Sequence, residues 1–171
     1  MKSLLSPWRY AYLVQERPAG ACIFCDAFAH ADDDESLIVH RGRENFVILN
    51  LYPYTNGHLM VVPNTHVASP SGSTPAQRAE LIELASACEA ALRDAYHADG
   101  VNLGMNLGRA AGAGIDSHYH LHVVPRWEGD TNFMAVTADT RIIPESLQVS
   151  KVRVKEALTR LLTPPGGPVH V

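Results

Sequence analysis

Along residues 75–98 apolar side chains return at steps of three and four, through Leu81, Leu84, Ala85, Cys88, Leu92 and Ala95, the period of one helix face. Thr74 stands where an N-cap belongs, Pro75 suits the first helical position, Gln77 completes a Thr-x-x-Gln capping box, and Gly100 lies just past the end. A second helix is predicted over residues 144–162, with Pro144 near its start and Pro164-Pro165-Gly166-Gly167-Pro168 after it as a frayed tail. Short β-prone runs occupy residues 37–40, 46–51 and 58–62, the last two separated by the turn-forming Tyr52-Pro53-Tyr54-Thr55-Asn56-Gly57. Residues 101–107 and 118–124 add two strands joined by a glycine-rich segment over 108–114, and residues 131–136 suit a further strand or an extended arm. Strands in runs beside two segregated helices predict one α+β domain over residues 1–171: an antiparallel sheet with one long central helix and a C-terminal helix. Residues 1–20 read as an N-terminal arm and 163–171 as a flexible tail.

One strand carries an unusual alternation. In His118-Tyr119-His120-Leu121-His122-Val123-Val124-Pro125-Arg126 three imidazoles recur at every second position, so a strand puts them in one row, with Tyr119, Leu121 and Val123 on the opposite face and Pro125 ending the strand. Such a row serves three chemistries: a metal site, a phosphate-binding face, or nucleophilic catalysis. The preceding Gly108-Arg109-Ala110-Ala111-Gly112-Ala113-Gly114 lets backbone amides approach a phosphate, with Arg109 and Arg126 adding fixed positive charge, although no Gly-Lys-Ser/Thr follows as in a Walker loop. A neutral imidazole attacks phosphorus well through one nitrogen, provided that an acceptor such as a backbone carbonyl holds the other.

Composition narrows the partners. The 171 residues, 46% hydrophobic and 19% charged, suffice for one buried core, and a net charge of −4 gives no basic field for duplex nucleic acid or an anionic membrane surface. No run of 18 apolar residues occurs, and the opening Met1-Lys2-Ser3-Leu4-Leu5-Ser6-Pro7 is too short and interrupted for a signal peptide, so a cytoplasmic location is expected. The acidic run Asp32-Asp33-Asp34-Glu35 reads as a solvated loop, and Cys88, on the helix stripe, as a small buried hydrophobe. Cys22-Ile23-Phe24-Cys25 lies in an N-terminal loop, which suits half of a zinc site better than a redox dithiol, and His66 and His118 can supply the two missing ligands. Spacing alone leaves two independent structural cysteines as an equal reading.

Taken together, these residues resemble the histidine-triad (HIT) superfamily. The alternating histidines followed by two apolar residues and Pro-Arg resemble its signature, and Leu49-Asn50-Leu51-Tyr52-Pro53-Tyr54-Thr55-Asn56-Gly57-His58 is similar to its upstream hairpin. Val124-Pro125-Arg126-Trp127-Glu128-Gly129-Asp130-Thr131-Asn132-Phe133 resembles the branch of diadenosine tetraphosphate phosphorylases, or ATP adenylyltransferases. The resemblance implies a homodimeric HIT-like fold in which His120 attacks the α-phosphate of a nucleotide to form a nucleotidyl-histidine, with His122 supporting it. It implies substrate contacts from Asn50, Asn106 and Trp127, to which the loop reading adds Gly112, Gly114 and Arg126, and a structural zinc held by Cys22, Cys25, His66 and His118. The expected activity is cleavage of dinucleoside polyphosphates with inorganic phosphate or water as acceptor; hydrolysis of nucleotide phosphoramidates or other nucleotide conjugates is the alternative. Relatives commonly carry Gln or Ser where this chain has Gly114, which bears on the acceptor.

Overall fold

A computed structural model describes residues 21–30, 32–33, 35–130 and 145–163. Five strands, β1 (Ile38–Arg41), β2 (Asn45–Leu49), β3 (Leu59–Pro63), β4 (Gly100–Gly104) and β5 (Leu121–Arg126), form one sheet in the order β1-β2-β3-β5-β4. Every neighbouring pair is antiparallel. Among the described residues three α-helices accompany it: α1 (Ile23–Ala29), α2 (Pro75–Tyr96) and α3 (Leu147–Leu162). The α+β class, the antiparallel sheet, the long central helix and the C-terminal helix are those that the hydrophobic pattern predicts. The arm, the tail, residues 131–136 and Pro144 lie outside the described residues.

Both ends of α2 have a clear cause. The Thr74 hydroxyl accepts from Gln77 N at 3.2 Å while Gln77 Oε1 accepts from Thr74 N at 2.9 Å, closing the predicted capping box. The stop differs from expectation: His97, in the left-handed region at φ 51°, ends the helix, and Gly100 already opens β4. α3 begins behind Ser146, whose hydroxyl accepts from Val149 N. Its buried Lys151 donates from Nζ to the carbonyls of Asp33 and Ser36, which ties this helix to the segment leading into β1.

Period-two alternation sorts the sheet residues onto two faces. Val47, Leu49, Leu59, Val61, Tyr119, Leu121 and Val123 pack against Leu81, Ala85, Cys88 and Leu92 of α2 and Val154 and Leu158 of α3. Ile38, Phe46, Ile48, Met60 and Val62 point the other way and meet Cys22 and Phe24. Two expectations need correcting. The Cys22/Cys25 pair does not lie in a loop: Cys22 is the N-cap of α1 and Cys25 sits inside it. At seven residues this helix is too short to show a period. Pro125 does not end β5 but pairs with Val101. Its carbonyl accepts from Thr55 Oγ1 at 3.1 Å, so its nitrogen faces the same side, beyond Val123 where pairing with β3 has stopped, and no ladder bond is lost. No helix among the described residues is long and apolar enough to cross a membrane.

Candidate functional site

The three histidines hold their row although only His122 lies within β5. Pairing with β3 begins at Leu121, and upstream Tyr119 N donates to Val67 O at 2.9 Å, so the chain leaves the ladder but keeps its alternation. Tyr119, Leu121 and Val123 enter the core beneath the helices, while His118 and His120 meet Phe24 on the opposite face. The rings of His120 and His122 are 4.7 Å apart, nearly perpendicular.

Hydrogen bonds fix a different role for each nitrogen. His120 Nδ1 lies 3.2 Å from the carbonyl of His118, which can only accept, so Nδ1 carries the proton and Nε2 keeps its lone pair. Burial lowers the pKa of His120, favouring the neutral ring. The backbone-carbonyl partner that a nucleophilic histidine requires is therefore present. His122 is set by a residue to which the sequence pattern gives no role. The backbone N–H of Tyr54 donates to Nδ1 of the fully buried His58 at 3.1 Å, so His58 bears its proton on Nε2 and donates it to His122 Nδ1 at 2.9 Å. His122 is left with its proton on Nε2. Burial, and next the neighbouring imidazoles, hold His58 down at about 3 and His122 at about 4, so both are neutral near pH 7. A signal for His58 did exist: one polar residue opens the apolar run Leu59-Met60-Val61-Val62 directly after Gly57.

Beside these rings opens a pocket of about 280 Å³. Ile23, Phe24, Ala27, Leu37 and Ile48 form an apolar wall; Asn50, Asn106, Gly112, Gly114, His120 and His122 bring polar groups to it. Gly112 stands at φ 85° with open space where a Cβ would go, so its backbone conformation, rather than crowding, calls for glycine. Asn50 accepts from Tyr52 N at 3.0 Å through Oδ1, and its Nδ2 lies 3.3 Å from His58 Nδ1. Arg109, on the same glycine-rich loop, is paired with Asp116 at 2.8 Å. Arg126 and Trp127 are not brought to the pocket. Arg126, the last residue of β5, forks onto Asp130 and donates to Asn102 Oδ1 at 2.8 Å, and the indole N–H of Trp127, just past the strand, donates to Tyr96 O at 3.2 Å.

The first histidine of the row faces another cluster. One donor atom each from Cys22, Cys25, His66 and His118 lies within 4.8 Å of the others. His118 Nδ1 stands 3.3 Å from Cys22 Sγ and 3.6 Å from Cys25 Sγ, and His66 Nδ1 3.3 Å from Cys25 Sγ. Zinc bonds of about 2.0–2.3 Å give tetrahedral edges of about 3.3–3.8 Å, so these separations and a two-sulfur, two-nitrogen donor set suit that ion. His118 Nε2 also donates to Pro63 O at 2.9 Å, an orienting bond typical of a metal-bound imidazole, which leaves Nδ1 unprotonated toward the sulfurs. Without a metal, burial and the adjacent Cys22 push the Cys25 thiol up to about 11, a cost to the thiolate that a cation reverses.

Residues 32–129 match the HIT domain family. The chain is similar to an AP-4-A phosphorylase of Mycobacterium tuberculosis, 36% identical over 155 residues that cover 86% of this chain and 80% of that protein. It is 31% identical to the Bacillus subtilis protein hit over 74% of this chain and 87% of that one. Among solved structures, a zinc-bound histidine triad family protein from Mycobacterium smegmatis superposes with a TM-score of 0.68 at 30% identity, over 82% of this chain and 95% of that one.

Proposed function

The chain belongs to the HIT domain family, and from that premise we propose that it is a nucleotidyl-transferring enzyme that cleaves dinucleoside polyphosphates, diadenosine tetraphosphate above all, through a nucleotidyl-His120 intermediate. The observation that carries this reading is the His120 ring: its Nδ1 proton is engaged by the His118 carbonyl, and Nε2 is the remaining nucleophilic nitrogen of a residue lining the pocket. The similarity to an AP-4-A phosphorylase supports the substrate class.

On this reading an adenosine lies against the apolar wall and Asn50 meets the ribose. His120 Nε2 attacks the α-phosphorus, forming the N–P bond as the bond to the bridging oxygen breaks. The Nε2–H of His122, oriented by His58, donates a hydrogen bond to the phosphoryl oxygens, where negative charge develops. Asn106 and the amide of Gly114 hold the distal phosphates, while Gly112, whose own N–H is donated to Arg109 O at 2.9 Å, shapes the loop beside them. An incoming inorganic phosphate then takes the vacated position and accepts the nucleotidyl group, releasing His120. Gly114 offers an amide without the side chain of relatives, which suits an anion held by backbone donors. Arg126 and Trp127 have no part in the pocket of a single chain.

Zinc, held by Cys22, Cys25, His66 and His118, supplies a closed four-ligand structural centre. β4, an edge strand with Leu103 exposed, is the surface through which we place the homodimer contact.

Chromatography of the products of diadenosine tetraphosphate over a phosphate titration tests the acceptor. Phosphate is expected to divert AMP plus ATP to ADP plus ATP. AMP plus ATP at every phosphate concentration would make the protein a hydrolase.

A further inference from the structure

Phe24 belongs to the pocket wall and to the metal-type cluster at once. It lies between Cys22 and Cys25 in the chain and is 2% exposed. Its ring touches one histidine of each centre: His118 at 5.6 Å, edge-on, and His120 at 4.8 Å, tilted by 50°. The His120 ring is thus held between Phe24 on one side and His122, at 4.7 Å, on another.

The two ends of α1 are fastened by different means. Near the C-terminal end, Arg41 of β1 donates to the carbonyls of Phe28 at 2.8 Å and His30 at 2.9 Å, and the Phe28 ring stacks on Phe46 at 5.2 Å. At the N-terminal end, the hydrogen bonds that leave the helix among the described residues run from Cys22 and Cys25 to His118 and His66. A helix of two turns does not sustain itself in water. Thiol–imidazole bonds are weak, whereas metal–ligand bonds are not. Apolar packing of Cys22 and Phe24 against Phe46 and Met60 also holds this turn, and the cluster supplies its polar anchors, so how firmly the N-terminal turn of α1 is held depends on the cluster.

We infer that Phe24 is a positioning residue that ties occupancy of the Cys22, Cys25, His66 and His118 cluster to the setting of His120 and the shape of the pocket wall; this rests on the zinc and nucleotide readings above. With the metal bound, the two cysteines are pinned and Phe24 stays wedged between the two imidazoles. Once the metal leaves, the first turn of α1 frays and carries Phe24 away from His120, with Ile23 beside it. A second connection, the His118 carbonyl on His120 Nδ1, bypasses Phe24, so the two routes separate by mutation.

The test is a double-perturbation cycle with AMP as the probe, its affinity measured by calorimetry for wild type and Phe24→Ala, each zinc-loaded and zinc-stripped. Stripping should weaken AMP binding about tenfold in wild type but less than about twofold in Phe24→Ala, the non-additivity expected of coupled groups. Equal losses in both proteins overturn the inference. In the zinc-loaded enzyme, Phe24→Ala should lower kcat for diadenosine tetraphosphate, and Phe24→Leu should restore part of it; a rise in KM alone would make Phe24 a wall residue and overturn the positioning role. If stripped protein unfolds, His66→Ala, which removes the exposed ligand, replaces stripping in the cycle with the same two outcomes. Failure of the underlying readings shows separately, as zinc-free purified protein or as no AMP binding to zinc-loaded wild type, and either result removes the proposal.

Discussion

The two faces of the sheet are built from the same five strands and do opposite work. Toward α2 and α3, β5 and its approach present Tyr119, Leu121 and Val123, all at most 4% exposed and closed over by apolar side chains. Toward α1, the alternate positions present His118, His120 and His122, each ring satisfied on one nitrogen by a carbonyl or another imidazole. On the first face residues are interchangeable within limits of volume; on the second, the identity of each nitrogen matters. A one-residue slip of β5 would exchange the two sets, so the register that packs the core also aims the histidines.

Substitutions on the two faces should therefore fail in different ways. His120→Asn should keep the fold and nucleotide binding while removing the nitrogen proposed to attack, so kcat is expected to fall on the order of 10⁴-fold or more in steady-state assays. Near wild-type turnover would assign attack to water or another histidine. On the core face, Tyr119→Ala should cost about 3–5 kcal/mol in denaturant melts, as loss of a buried aromatic ring does. It also leaves the Ser73 hydroxyl without the Tyr119 oxygen 2.9 Å away. Nucleotide affinity per folded molecule should barely change, and a selective loss of affinity would mean that the faces are not separable.

A smaller effect is expected at His58→Phe, which fills the volume but leaves His122 Nδ1 without its donor. A buried acceptor so deprived costs about 1–3 kcal/mol, so kcat should fall about 10–100-fold with little change in KM. The same variant sharpens the pH behaviour. His58 and His122, held at about 3 and about 4 by burial and by neighbouring imidazoles, have an ordinary value of 6.5. Between those limits the unfolded chain binds protons that the native chain does not, so stability is full above 6.5 and declines as the pH falls toward 4. Tm should decline less steeply over that window in His58→Phe; parallel curves would show that His58 is not buried neutral.

Much of this arrangement was legible in the chain, because period two and period 3.6 report directly on burial. The capping box at Thr74, the long helix stripe and the histidine alternation needed no tertiary information. What escaped detection depends on distant contacts. α1 is too short for a period and is held by side chains on β1, Phe46 and two remote histidines. His58 looked like one polar residue at the start of an apolar strand, since its partner is 64 residues away in sequence. Arg126 looked available to a phosphate, but Asp130, four residues on, engages it.

Covalent nucleotidyl transfer at His120 is the work proposed for the histidine face. Rapid quenching of the enzyme with diadenosine tetraphosphate in the absence of added phosphate, followed by mass spectrometry of its peptides, tests this most directly. An adenylyl adduct on His120 should form within one turnover and be discharged when phosphate is added. Turnover with no adduct at any time, or an adduct on another residue, would contradict it.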